Sequence, residues 1–193
     1  MSLYLSMAAF ALAASISPGP VNILALSAGA QYGLRPALRI VTGATVGFTL
    51  LLILVGLGLQ EALLRWPYLT DVVRWAGVAF LLYMACRLAW DSGKLSTENP
   101  DNQPSVYAGA ALQWLNPKAW LAAVAGVGAF VSGGNQLVEF AAIYFVICYG
   151  SIACWAYAGA HLRTYLSRQD RVRTLNRVLA ALLAASAVYL LSS

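Results

Sequence analysis

The sequence predicts an all-α integral membrane protein: six transmembrane helices forming two inverted three-helix repeats, with helices 1 and 4 broken at mid-membrane. Three features lead there. The 193 residues are 61% hydrophobic and only 10% charged, whereas a soluble domain carries roughly a quarter charged residues, so polar surface is too scarce to cover a water-soluble globule. The apolar residues fall into six runs of spanning length. The first run of each half carries a proline break, "SPGP" at 17–20 and "NP" at 116–117.

The spans follow in order. A helix needs about 20 residues to cross the hydrocarbon core. Leu3–Ala30 is the first span; no charge precedes Arg35. It lacks the basic flank of a signal peptide and continues too far for one, so it reads as a retained helix. Ile40–Gln60 is the second. It contains Gly43-x-x-x-Gly47, a close-packing motif. The third runs from Val72 to Trp90, with Arg74 and Arg87 near its ends, where long cationic side chains reach the headgroups. "DSGKLSTENPDNQPS", Asp91–Ser105, is the polar linker that divides the chain. The fourth span is Val106–Val131, the fifth Phe140–Leu162 and the sixth Leu175–Leu191. The chain is therefore one membrane domain, with repeat one at 1–90, the linker at 91–105 and repeat two at 106–193. An odd number of spans per half inverts one half relative to the other.

Orientation comes from Lys and Arg in the loops. Arg35, Arg39, Arg87, Lys94, Arg163, Arg168, Arg171, Arg173 and Arg177 lie in alternate loops. Those loops are expected in the cytoplasm, which puts both termini in the periplasm of a bacterial inner membrane. The net charge of +5 thus reflects membrane topology, and no nucleic-acid partner is expected. Cys86, Cys148 and Cys154 lie in apolar context with no paired spacing, so each reads as a small buried hydrophobe, with neither a disulfide framework nor a metal site.

The breaks carry the chemistry. Proline lacks an N–H and frees carbonyls one turn upstream, and in a bilayer such groups need partners or a wet cavity. Proline is also favoured as the first residue of a new helix behind an Asn, Ser or Gly cap. "NP" at 116–117 reads as such a start, as does either "SP" at 17–18 or "GP" at 19–20. Each start presents N–H groups and a partial positive charge, and in inverted halves both can face one point, suited to an anion such as a carboxylate. Paired interrupted helices at corresponding positions point to a transporter site. The alternative is a pair of ordinary proline kinks. The expected substrate-binding residues are Ser17, Pro18, Gly19, Pro20, Asn22, Gln113, Asn116, Pro117 and Lys118, with Asn22 and Asn116 as amide partners. A lysine at mid-depth costs several kcal/mol unless it faces a wet interior, so Lys118 is expected there, countering a carboxylate or coupling protons. Glu139 marks the outer start of span five and is the nearest candidate for an outward proton site. His161 reads as interfacial.

"SPGPVNILALSAGAQYGLR", "GATVGF" and "QWLNPKAW" resemble the LysE/RhtB family of amino-acid exporters over essentially the whole chain. "NILALS" and "CWAYAGAHL" look most like its cysteine/O-acetylserine branch. The resemblance implies efflux of small amino acids or derivatives by exchange with protons, and it implies two inverted three-helix units. Its motif positions fall on Pro18, Gly19, Pro20, Asn22, Asn116, Pro117 and Lys118. Many relatives have Asn directly after PGP. Here Val21 intervenes, a shift of about 100° around a helix.

Other classes fit less well. A six-helix redox carrier needs cysteines in spans one and four, which have none. An enzyme needs an acid–base pair at mid-depth, and none is present in the sequence. No cofactor or metal is called for. Exporters of homoserine/threonine, leucine or basic amino acids, a channel, and a non-transporting scaffold subunit stay open, and a homo-oligomer is compatible with the sequence.

Overall fold

The computed structural model describes residues 2–59, 67–90, 104–165 and 169–192. Among these the chain forms eight helices and no strand. They are α1 (Leu3–Ile16), α2 (Pro20–Tyr32), α3 (Leu34–Gly56), α4 (Pro67–Ala89), α5 (Val106–Trp114), α6 (Pro117–Phe130), α7 (Gly134–Tyr165) and α8 (Gln169–Ser192).

Local chemistry sets the boundaries. The Ser2 and Ser105 hydroxyls accept from Leu5 N and Ala108 N and so start α1 and α5. Pro20 and Pro117 each occupy a first turn, where a missing N–H removes no helical bond. Gly33 alone separates α2 from α3 at φ 83°, a left-handed conformation that glycine adopts without steric cost. Arg35 and Arg39 therefore ride on the first turns of α3, not in a loop before it. Likewise α7 begins at Gly134 and α8 at Gln169, so Glu139 lies inside α7, and Arg171, Arg173 and Arg177 lie on α8. Helices run past the edges of the apolar runs because charged residues at a helix end need no loop. The linker Asp91–Ser105, including Lys94, lies outside the described residues as far as residue 103, as do Gln60, Arg65 and Arg168.

By length and composition, α3 and Gly134–Arg163 of α7 are long and apolar enough to cross a membrane. The pair α1 and α2, bent by 61° at its break, makes a third such unit. Trp75–Ala89 of α4 and α6 add shorter apolar stretches.

Two helices organise the packing. α7 lies against α1, α2, α3 and α6, while α3 lies against α2, α5, α6 and α7; α4 packs on α8. Glycine allows the closest approaches. A Cβ on Gly43 would strike the Val106 backbone, and one on Gly47 would fall 2.8 Å from Ala110 Cα. Gly109 faces the Ile40 backbone in return. The sequence motif Gly43-x-x-x-Gly47 is thus a zipper between α3 and α5. Gly29 and Gly159 do the same between α2 and α7, against the Ala156 and Leu26 backbones. Such small-residue contacts let helices gain dispersion energy in lipid, where no hydrophobic drive brings them together.

Cys148 is buried, but Cys86 and Cys154 are exposed on the outside of the helix bundle. The expectation that all three are buried is corrected: in a chain this apolar, hydrophobic context does not distinguish a core face from an outer face.

Candidate functional site at two helix breaks

The first break separates α1 from α2. A continuous helix would bond the Ala14 and Ile16 carbonyls to the N–H groups of residues 18 and 20, which are prolines and have none. Side chains replace them. The Ser17 hydroxyl donates to Ala14 O at 3.3 Å, and Trp155 Nε1 of α7 donates to Ile16 O at 3.0 Å. The two carbonyls between and after are also taken. Asn22 Nδ2 donates to Ser15 O at 2.9 Å and to Ser17 O at 2.8 Å. The end of α1 is thus fully provided with donors, as burial in a bilayer requires. Of the two starts open in the sequence, the chain uses "GP": Gly19 is the cap residue of α2, and Ser17 closes α1.

The second break is built differently. Asn116 caps α6, its Oδ1 accepting from Lys118 N at 3.2 Å. Trp120 Nε1 donates to Trp114 O at 2.8 Å, and Trp114 Nε1 donates to Gly47 O at 3.1 Å, tying the break to α3. The two ends therefore differ in what they offer an anion. α6 has a side-chain cap, while α2 begins behind Gly19 with none, so its first N–H groups have no partner supplied by a capping side chain.

Lys118 bridges the breaks. Its Nζ donates to Ser17 O at 2.7 Å and to Ser17 Oγ at 2.8 Å. Its stem covers Gly19, where a Cβ would fall 3.3 Å from Lys118 Cδ and Nζ. The ammonium thus sits at the negative C-terminal end of α1 and beside the positive start of α2.

Between the breaks lies a small cavity of about 40 Å³, room for a few water molecules. Gly19, Asn22, Gln113, Asn116 and Lys118 line it, so five of the nine expected residues share one wall system. Ser17, Pro18, Pro20 and Pro117 do not line it; Ser17 holds Lys118, and the prolines shape the backbone. Asn22 Nδ2 gives both its hydrogens to the end of α1, which leaves Oδ1 as the amide atom open to a ligand. Asn116 likewise uses its Oδ1 as a cap, leaving Nδ2 as its donor.

The inner wall consists of residues the sequence reading did not select: Ser15, Phe48, Tyr144, Cys148 and Ile152. Tyr144 stacks on Phe48 at 4.3 Å between ring centroids. The available signal was the run Tyr144, Cys148 and Ser151, spaced four and three residues apart, which puts mildly polar groups on one face of an apolar helix. Away from the cavity, Glu139 lies beside the Tyr4 hydroxyl, and exposed His161 stacks on Tyr157 at 6.4 Å.

Comparison with known proteins gives a consistent picture. The family model for LysE type translocators matches residues 12–193. Relatives named cysteine/O-acetylserine efflux protein, from Escherichia coli O1:K1 / APEC and Escherichia coli strain K12, are each 33% identical over 186 residues. The same holds for the protein of that name from Shigella sonnei strain Ss046. Each alignment covers 93% of this chain and 92% of the relative. No solved structure matches the chain.

Proposed function

We propose that this chain, which belongs to the family of LysE type translocators, exports small amino acids or their derivatives from the cytoplasm and binds them in the cavity between its two helix breaks. It is a membrane-embedded transporter and not an enzyme. One observation carries the site reading: the start of α2, which has no side-chain cap, and the Lys118 ammonium meet at one small cavity. A substrate carboxylate gains up to about 2 kcal/mol from a helix N-terminus in partly buried geometry, and more from charge-assisted bonds to the ammonium. Binding exchanges the Ser17 acceptors of Lys118 for an anion. That exchange frees the end of α1 from α6, so ligand binding and movement of the breaks are coupled.

The names of the relatives favour cysteine and O-acetylserine as substrates. Proton exchange is the coupling in this reading. The architecture is six spans in two inverted three-helix units in the inner membrane, with both termini periplasmic. Support for the repeat comes from the paired "GP" and "NP" starts, and from each broken pair packing on the unbroken central helix of the other half, α1 on α7 and α5 on α3.

Counterflow tests the reading. Proteoliposomes holding purified protein and excess unlabelled cysteine or O-acetylserine are expected to accumulate labelled substrate transiently. A channel gives no such overshoot, and a scaffold subunit gives no flux. For orientation, tags at both termini are expected to react with impermeant reagents in intact cells and tags within Asp91–Ser105 are not; the reverse pattern overturns the topology.

A further inference from the structure

We infer that Ser15, with Tyr144 and Cys148, is the contact that reads the substrate's side chain, and that it selects a side chain bearing a hydrogen-bonding heteroatom on its β-carbon. The inference rests on the reading of the cavity as an amino-acid site.

Ser15 lines the cavity and is 8% exposed. Its hydroxyl lies next to the Tyr144 hydroxyl and the Cys148 thiol, yet it has no aligned hydrogen-bond partner. Behind Cys148, the Thr45 hydroxyl is fully buried and also lacks one. Buried hydroxyls in folded proteins nearly always have partners. With a phenol and a thiol beside it and no aligned bond to either, the Ser15 hydroxyl can turn to a ligand atom in the cavity.

The position of Ser15 is fixed by the same device that builds the break. Its carbonyl accepts from Asn22 Nδ2 at 2.9 Å, and Asn22 belongs to the first turn of α2. The orphan hydroxyl therefore stands in fixed register with the helix start that takes the carboxylate. The far side is closed by the Phe48–Tyr144 stack and Ile152. A site of this kind rejects an analogue lacking the heteroatom, because the wall's polar groups are then left unpaired.

The test compares substrates differing by one group: serine with alanine, and cysteine with 2-aminobutyrate. Uptake of each is measured in proteoliposomes holding wild type, Ser15→Ala or Tyr144→Phe. Wild type is expected to prefer the heteroatom-bearing member of each pair. In Ser15→Ala the serine-to-alanine ratio is expected to fall about tenfold, the loss of one hydrogen bond. An unchanged ratio in Ser15→Ala overturns the inference while leaving the transport reading intact. If Ser15→Ala does not fold, Tyr144→Phe, which keeps the ring stacked on Phe48, decides on the same ratio. Wild type that moves no member of either pair overturns the transport reading and the inference with it.

Discussion

The Lys118 ammonium sits 2.7 Å from the carbonyl oxygen of Ser17 and 2.8 Å from its hydroxyl, joining the start of one half-helix to the end of another 101 positions away in sequence. A cation placed there does two things. It satisfies the end of α1, and it stands beside a helix start that attracts anions. The first joins the two breaks; the second is the basis on which the proposed function makes Lys118 a substrate contact.

Lys118→Met separates these roles from packing, because Met keeps the length of the stem over Gly19 and removes the charge. The Ser17 carbonyl retains Asn22 as a donor, so the variant is expected to insert and fold. Export per folded molecule is expected to fall at least about tenfold, the loss of a charge-assisted contact worth 1.4 kcal/mol or more. Wild-type flux from a well-expressed Lys118→Met protein removes the residue from the site.

Asn22→Ala acts on stability. It removes both hydrogen bonds of Nδ2 and takes from Ser15 O the donor it has in Asn22, while Ser17 O keeps Lys118. Each lost bond to a buried carbonyl costs about 1–3 kcal/mol. The purified variant is expected to melt well below wild type in detergent. An unchanged melting temperature, together with lost substrate binding, returns Asn22 to a direct ligand role.

The sequence made some of this legible and hid the rest for identifiable reasons. "NP" announced a capped helix start, and Asn116 caps α6 as read. "SPGP" announced a break but left its start ambiguous, since Ser and Gly are both acceptable caps. Lys118 stood out because a charge in an apolar run has few places to go. Trp155 gave no sign of its role: it meets Ile16 O from 139 positions away, and a tryptophan near a span end reads equally well as an interfacial anchor. Ser15 and Tyr144 were hidden in the same way, because periodicity says little about which face of a helix is inward when all faces are apolar. Only the tertiary fold tells those faces apart.

Gly43→Leu tests the helix zipper independently of the site. A side chain there strikes the Val106 backbone, which has no rotamer to yield. Separating α3 from α5 also disturbs the Trp114 bond to Gly47 O. The variant is expected to express poorly or to melt early. Gly150→Leu is the control, because a Cβ at Gly150 meets nothing within 4 Å, and it is expected to behave as wild type. Equal stability of the two variants removes the close contact between α3 and α5 from the account.

Healing the first break tests whether its shape is functional. In Pro18→Ala with Pro20→Ala, new N–H groups become available to Ala14 O and Ile16 O, competing with the Ser17 hydroxyl and Trp155 Nε1 that hold them now. A continuous helix pairs every backbone group, which the bilayer favours, and it consumes the N–H groups that α2 presents at the cavity. The 61° bend between α1 and α2 then straightens. Stability is expected to stay level or rise while substrate binding falls. Losing one helix end costs up to about 2 kcal/mol, and so up to about thirtyfold in affinity. A purely structural kink gives the opposite pattern: a lower melting temperature, with affinity per folded molecule unchanged. Measuring binding and melting on one preparation of the double variant separates the two, and unchanged affinity in a destabilised protein removes "SPGPVN" from the binding site.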